Sequence, residues 1–466
     1  MVMQYRKVIL MLVVGLLLMV ACNPRLSTPN VTLPKSYIYG AEGKSDTVGV
    51  SDKWWEMFDD SLLNRLVERA LANNRNLAVA VSRIEEARLS RKTTRAAFLP
   101  SFSVAVSGGA SGESKTPTVQ SYSLKPQVSW EVPLFGELRH TTAEAEANLS
   151  YAEWQWRGVR LSLAAEVATT YFTLLQYRRD LDIAERSAAL RRESATLIDS
   201  IFGRGMASGV HREQALSLVY TAEADIPLYR RAVAQTLLSL DVLLGSNPDS
   251  LAHASFDARL ITEYRPLDIP AGLPSNLLSR RPDVMQAWWQ VRRAGAAVGV
   301  ARSARLPLVS LTADGGRLSD DVVKVFTGRN WVWSALATLS QPVFGFGRLR
   351  DAERIAREQY RQAVLDYEQA CIEAVADVEK ALVSIATYRN QTAKYRELVV
   401  SNSRISQMSN ALYYNGLSAY LDVIDAERTL YDSQMQLSNV VAQQYINYVD
   451  LCRALGGGWV DVPANK

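Results

Sequence analysis

Cysteine and histidine are scarce in this sequence, which excludes several classes of protein. Its 466 residues contain three cysteines, too few for a disulfide framework, and Cys371 and Cys452 fall in helical patterns that predict buried, inert thiols. The three histidines have no spacing typical of a metal pair. A Walker loop, a GxSxG motif and an HExxH motif are also absent from the sequence. We therefore expect no enzymatic activity, no cofactor and no bound metal.

The sequence also has little net charge. Its 52 lysines and arginines oppose 48 aspartates and glutamates, so the formal net charge is +4. Such a small excess argues against nucleic acid as a partner. Hydrophobic residues make up 48% of the chain and charged residues 21%, which is typical of a folded protein.

No hydrophobic run is long enough to span a bilayer, which takes roughly 20 residues. The longest run, VILMLVVGLLLMV at 8–20, has 13 residues; a basic pair precedes it and Ala21-Cys22 follows it. This pattern predicts a lipoprotein signal peptide over 1–21, with Cys22 as the acylated first residue, although Met19 stands where leucine is usual. The alternative is an ordinary signal peptide with a chance cysteine. Residues 22–52, with several Pro, Ser, Thr and Gly, are predicted to form a lipid-anchored tether.

Proline is absent from residues 134–226, and the proline before this run belongs to a repeated motif. Pro133-Leu-Phe-Gly136 recurs 209 residues later as Pro342-Val-Phe-Gly345. Two further matches, TRAAFLPS with ARSARLPL and GMASGVHREQAL with GLSAYLDVIDAE, have offsets of 207 and 211 residues. The chain is therefore predicted to be a tandem duplication. Its parts are a first repeat at 53–245, a linker at 246–281, a second repeat at 282–456 and a tail at 457–466.

Each repeat contains a very long helical pattern. Apolar residues recur at spacings of three and four through 137–203, which predicts a helix about 100 Å long. The second copy is predicted at 346–414, and shorter helices at 211–244 and 422–455 follow the two long ones. Numerous charged side chains exclude a membrane span, so these helices are predicted to pack side by side in water.

Four segments, paired within 101–132 and 308–341, carry strand patterns instead. Each is about 10 residues long, and 121–132 alternates apolar with polar side chains, as transmembrane strands do. A soluble half-buried strand explains one such segment but not four in matched pairs. Four strands cannot close a barrel, because the smallest membrane barrels have about 8. Two copies would supply 8 strands and three would supply 12, and only the larger barrel leaves a lumen.

The sequence thus predicts a mostly α-helical protein with a transmembrane β-barrel. In this fold a trimeric 12-stranded barrel continues as a periplasmic α-helical barrel. Pro133 and Pro342 would mark the change from strand to helix, and Gly136 and Gly345 would supply backbone freedom at the bends. A purely structural coiled-coil lipoprotein would explain the helices but not the strands.

Three stretches resemble signatures of the TolC-like outer membrane efflux proteins. They are WWEMFDDSLLNRLVERALANN at 54–74, AGLPSNLLSRRPDVMQAWWQVRRAGAAVGVARSARLP at 271–307 and NGLSAYLDVIDAERTLY at 415–431. The similarity extends from residue 54 to about 459. It departs from the family pattern at Ser61, where proline is usual, and at Asn276, where aspartate is usual. It is strongest with the lipid-anchored channels of resistance–nodulation–division pumps.

The resemblance implies a location and a set of partners. It implies a homotrimer in the cell outer membrane, lipid-anchored and extending into the periplasm. It further implies an exit duct that works with a periplasmic adaptor protein and an inner-membrane resistance–nodulation–division transporter. The alternatives are the conduit of a type I protein secretion system and a heavy-metal efflux channel.

The resemblance also implies a gate where the periplasmic helix turns converge. Residues matching the family's gate are Tyr413, Leu421, Asp422 and Asp425. The two aspartates are three residues apart and share a helical face, so a trimer would carry rings of carboxylates there. The alternative is that both are first-turn aspartates favoured by the helix dipole. In the first repeat His211 and Arg212 occupy the corresponding turn, and a basic residue there could pair with Asp422 of a neighbouring copy.

The run Arg280-Arg281-Pro282-Asp283 resembles a catalytic cluster, but we expect it to fix the linker and start a helix. Asp283 aligns with Asn76 in the first repeat, and both are residue types preferred at helix N-caps.

Overall fold

The computed structural model describes residues 51–112, 118–248, 278–327 and 330–458, together with residues 26, 29, 32, 34, 36–39 and 267. The predicted signal peptide and Cys22 lie outside the described residues. The chain divides into two compact units. Unit 1 contains Val81–Gln155 and Asp283–Ala370, and unit 2 contains Thr32–Ala80, Trp156–Pro282 and Cys371–Lys466. Each unit therefore combines parts of both repeats.

The helices occur in matched pairs, one from each repeat. A short 3-10 helix, Trp54–Phe58, and helix α1, Ser61–Asn73, precede the pairs, and the short helix α6, Val322–Thr327, lies between two strands. The first pair has 22 residues per helix, the second 67 and the third 35. They are α2 (Arg75–Ala96) with α5 (Pro282–Ser303), α3 (Glu137–Gly203) with α7 (Arg348–Tyr414), and α4 (Gly209–Leu243) with α8 (Tyr420–Ala454).

Four antiparallel strands form one sheet in unit 1. They are β1 (Ser101–Ser111), β2 (Val119–Val132), β3 (Leu308–Ser319) and β4 (Trp331–Ser340), in the order β1-β2-β3-β4. Within the described residues, the outer edges of β1 and β4 have no strand partner. A single chain therefore leaves two edges of unpaired backbone groups.

The two faces of the sheet differ in chemistry. One face carries hydrogen-bonded polar side chains: Ser107 contacts Ser123 at 2.7 Å, and Asp314 pairs with Lys125 at 3.4 Å. The other face is apolar and exposed, as Val104 and Leu339 illustrate with exposures of 65% and 68%. This alternation is typical of membrane strands, in which lipid meets one face and a polar lumen the other. Among the described residues, no helix is long and apolar enough to cross a membrane.

The bends between sheet and long helices differ in length between the repeats. Gly136 has a φ of +84° and α3 begins at the next residue; in the second repeat the equivalent residue is Gly347, also with a φ of +84°. Gly345 lies in the bend but does not adopt the left-handed conformation. The second bend is therefore longer than the matching Pro-x-Phe-Gly motifs suggest, and α7 starts at Arg348 rather than at 346.

Unit 2 holds a hydrophobic core that includes an aromatic cluster. The ring of Phe172 in α3 stacks on Tyr445 of α8 at 4.9 Å and meets Phe58 edge-on at 5.0 Å. Cys452 lies in the same core, and both it and Cys371 are free and fully buried, which confirms the prediction of buried thiols.

The run at 280–283 starts a helix as expected, but Asn76 and Asp283, although of N-cap type, each lie two residues after the N-cap position. Asn74 caps α2, because its Oδ1 accepts the backbone N–H groups of Asn76 and Leu77 at 2.9 and 3.2 Å. In α5 the first helical residue is Pro282, so Asp283 already lies in the first turn. Proline suits this first position because its missing N–H would have no partner there.

Candidate functional site

The first candidate turn joins α3 to α4 in unit 2. Gly205 adopts a φ of +75°, and Ser208 caps α4 by accepting the N–H of His211 at 3.3 Å. The His211 ring lies 5.8 Å from the ring of Tyr420 in the second turn. His211 therefore belongs to the contact between the two turns.

The second turn, between α7 and α8, ends its first helix in the same way. Gly416 has a φ of +72°, and the Leu417 N–H donates to the Leu412 carbonyl at 2.9 Å, a Schellman arrangement. The N-cap of α8 is Ala419, which has no side-chain oxygen to offer. Asp422 is the acidic residue of this uncapped first turn, so the helix dipole favours its charge.

A small apolar core fixes the two turns against each other. Tyr420 and Val423 are 2% and 1% exposed and pack with residues from α3 and α4. Tyr413, the predicted gate tyrosine, packs against this cluster, and its ring lies 5.1 Å from that of Tyr420. Burial raises the pKa of Tyr420 to about 12, so its hydroxyl stays neutral at physiological pH.

The other face of the same helix start is solvent-exposed. Leu421 is 56% exposed, and Asp422 and Asp425 are exposed with it. Asp425 forms a loose ion pair with Arg428 at 3.7 Å. Because Tyr420 and Val423 occupy the buried face, the leucine and both aspartates are turned away from the chain's own core. All three side chains are therefore accessible from outside the chain.

Arg212 is already engaged within its own chain. Its guanidinium donates to Asp199 at 2.6 Å and to Glu213 at 2.8 Å, and the Asp199 carboxylate raises its pKa. The predicted pairing with Asp422 of a neighbouring copy would therefore have to compete with, or add to, these two contacts. That pairing stays a prediction.

A partly buried polar cluster, which sequence reasoning missed, lies beyond the turns and has Arg191 as its most buried member. Tyr431 donates to Asp225 at 2.7 Å, and the Arg191 guanidinium lies 5.1 Å from the Tyr431 ring centre. Burial raises the pKa of Glu427, and the opposing effect of Arg191 is smaller. Arg191, Glu427 and Tyr431 line a cleft of about 800 Å³. These polar residues sit at ordinary helical positions, so no motif distinguishes them in the sequence.

A second buried acid lies in α3. Asp180 is 4% exposed, and burial raises its pKa to about 6 against weaker opposing effects of Ser438, Gln176 and Arg179. In the part of the chain that the structure describes, no group of three or more His, Cys, Asp or Glu residues could hold a metal ion.

The same architecture occurs in known proteins. The sequence profile of the outer membrane efflux protein family matches residues 66–246 and 273–457. The chain is 33% identical over 435 residues to the solvent efflux pump outer membrane protein SrpC of Pseudomonas putida, covering 91% of this chain and 92% of that protein. It is 28% identical over 443 residues to the cation efflux system protein CusC of Escherichia coli, covering 94% and 95%.

A solved structure supports the same assignment. A membrane protein from Pseudomonas aeruginosa superposes with a TM-score of 0.84 at 30% identity, covering 94% of this chain and 97% of that one. The predicted fold class, long helices combined with a strand-based barrel portion, is thereby confirmed. With the profile matching both repeats and relatives aligned over nearly their full length, the chain belongs to the outer membrane efflux protein family and is an outer-membrane efflux channel protein of the TolC-like kind.

Proposed function

We propose that three copies of this chain form the exit duct of a tripartite efflux pump. The observation that carries the proposal is the four-stranded sheet with one apolar face, one polar face and two unpaired edges. Three such sheets would supply 12 strands, enough for a barrel with an open lumen. In this assembly a periplasmic adaptor and an inner-membrane resistance–nodulation–division transporter load the duct, and the duct itself is passive.

The turns at Gly205 and Gly416 form the gate of this duct. Around a threefold axis, Asp422 and Asp425 would contribute up to six carboxylates to one opening. Like charges about 6 Å apart repel by roughly 3 kcal/mol at an effective dielectric near 20. Bound cations or neighbouring basic residues such as Arg212 would have to offset this repulsion, so the opening favours cations over anions.

The cargo we propose is small organic compounds, including drugs and solvents. The support is the 33% identity to a protein named as a component of a solvent efflux pump. Cation export is the second candidate, because CusC is named as part of a cation efflux system, at 28% identity.

Deletion of the gene in its host tests the cargo. We expect the deletion strain to become several-fold more sensitive to toluene and to large apolar antibiotics, and complementation to restore resistance. Sensitivity to copper and silver salts should not change. The opposite pattern, with metal sensitivity alone, would favour the cation candidate.

A further inference from the structure

The residues just beyond the predicted lipid anchor contact helix α7 in unit 2. The backbone N–H of Ile38 donates to Oε1 of Glu379 at 2.6 Å, and the N–H of Tyr39 donates to Oε2 at 3.1 Å. One carboxylate thus binds two consecutive peptide groups. Hydrogen bonds to a charged acceptor are about twice as strong as neutral ones.

One side chain of this segment is inserted and its neighbours are not. Tyr37 is 7% exposed, whereas Ile38 and Tyr39 are 80% and 61% exposed. Burial, together with the nearby Glu379 carboxylate, holds the pKa of the Tyr37 hydroxyl above its usual range. Within the described residues this hydroxyl has no hydrogen-bond partner, so the ring rather than the hydroxyl provides the attachment.

The surface next to Glu379 is held together by hydrogen bonds and ion pairs. Arg281, 7% exposed, donates to the carbonyls of Ala374 and Ala454 and to the carboxylate of Asp377 at 3.1 Å. These contacts join the end of the inter-repeat linker to α7 and to the last turn of α8. Lys380, next to Glu379 in sequence, also pairs with Asp377, at 3.5 Å. The two cations therefore converge on Asp377, and Glu379 accepts from the N-terminal segment.

We propose that Glu379, with the surface that buries Tyr37, is a docking site for the N-terminal segment at residues 36–39, which we call the strap. The tether is then a strap fastened to folded unit 2 rather than a free linker along its whole length. Tyr37 is 15 positions after Cys22, so an acyl group on Cys22 would lie within about 50 Å of the docking point. Docking of the strap is independent of the proposed cargo and gate.

Limited trypsin digestion of the purified full-length protein in detergent tests the docking. Cleavage after Lys35 requires residues 36–39 to enter the protease, so docking should slow it. We expect Glu379→Ala and Tyr37→Ala to speed this cleavage at least tenfold. Tyr37→Phe and Ile38→Ala should behave like wild type, because neither removes a contact that holds the strap.

Two further measurements separate docking from other causes of protection. The melting temperature and native gel mobility of each variant show whether unit 2 remains folded; if Glu379→Ala unfolds, Tyr37→Ala decides. Cys22→Ser should keep the protection, since the strap docks on protein. Equal cleavage rates in wild type, Glu379→Ala and Tyr37→Ala would overturn the proposal. So would a Cys22→Ser protein cleaved as fast as Glu379→Ala, because the micelle would then be the source of protection.

Discussion

At the scale of single residues, substitution of Asp422 and Asp425 distinguishes two roles for these side chains. They either form a ring of carboxylates at the gate or only stabilise the start of their helix. Both are exposed, and the first lies in an uncapped first turn. If they ring the opening, Asp422→Ala/Asp425→Ala should raise single-channel conductance in planar bilayers. The double variant should also weaken cation preference and block by divalent cations, because the carboxylates that attract cations are gone.

The matched control for this variant is Asp351→Ala. Asp351 is the first-turn acid of α7, as Asp422 is of α8, and it lies in unit 1 rather than at the turns. It should leave conductance and selectivity unchanged. If the double variant also matched wild type in all three measurements, the two aspartates would serve only to start their helix.

Asp180 makes a prediction about pH. Its pKa is about 6 in the folded protein because burial disfavours the charged form, compared with 3.8 for the free side chain. The folded state therefore binds the proton more tightly, and stability falls as pH rises from about 4 to about 6, then stays level. Asp180→Asn should be more stable than wild type at pH 7.5, by about 1–3 kcal/mol, and should lose that advantage near pH 4. Thermal unfolding at both pH values measures this, and a pH-independent difference would contradict it.

At the scale of elements, the repeat geometry predicts how two copies join. Each residue of β1 is equivalent to the residue of β3 that is 207 positions later, and each residue of β2 to the residue of β4 that is 211 positions later. With these offsets, the pair Ser101 with Ser129 corresponds to the observed pair Leu308 with Ser340. Applied to the observed pair Val128 with Ala313, the same shifts place Leu339 of one copy opposite Val106 of the next.

Oxidative cross-linking tests this register. Leu339→Cys/Val106→Cys should form covalent dimers and trimers with several times the yield of Leu339→Cys/Val104→Cys, because directly opposite Cβ atoms lie about 5 Å apart and diagonal ones about 7–8 Å. The single variants should form none between these strands. A higher yield for the Val104 pair would mean that the copies join two residues out of the register found inside the chain.

The repeat motifs and the structure illustrate what sequence alone can supply at this scale. Proline-free apolar periodicity predicts a helix over 137–203, and α3 spans Glu137–Gly203. The bends are harder to predict from sequence. The matching prolines suggest that equivalent positions in the two repeats are 209 residues apart, whereas the left-handed glycines, Gly136 and Gly347, are 211 apart. A glycine's φ depends on where the chain must turn, and a four-letter motif does not record that.

In the candidate site, too, some residues could be predicted from the sequence and others could not. Its exposed residues, such as Asp425, could be named from a local motif because turn and acid are adjacent in sequence. The pairing of Tyr431 with Asp225 joins residues 206 positions apart, and the docking of Ile38 on Glu379 spans 341. Such contacts depend on helix packing, which a single sequence does not specify.

For the whole molecule, the decisive feature is closure of the sheet. The described part of one chain supplies four strands and two open edges, which a membrane does not tolerate, because unpaired backbone groups in lipid are costly. Closure by identical copies satisfies every edge, and three copies leave room for a lumen.

Native mass spectrometry of the detergent-solubilised protein measures the number of copies. We expect one dominant species of three chains, each of 51.7 kDa before removal of any signal peptide and addition of any lipid. Trimers should persist on dilution, because separating the copies would expose six strand edges at once. A stable monomer, or a dimer as the largest species, would contradict closure by three copies.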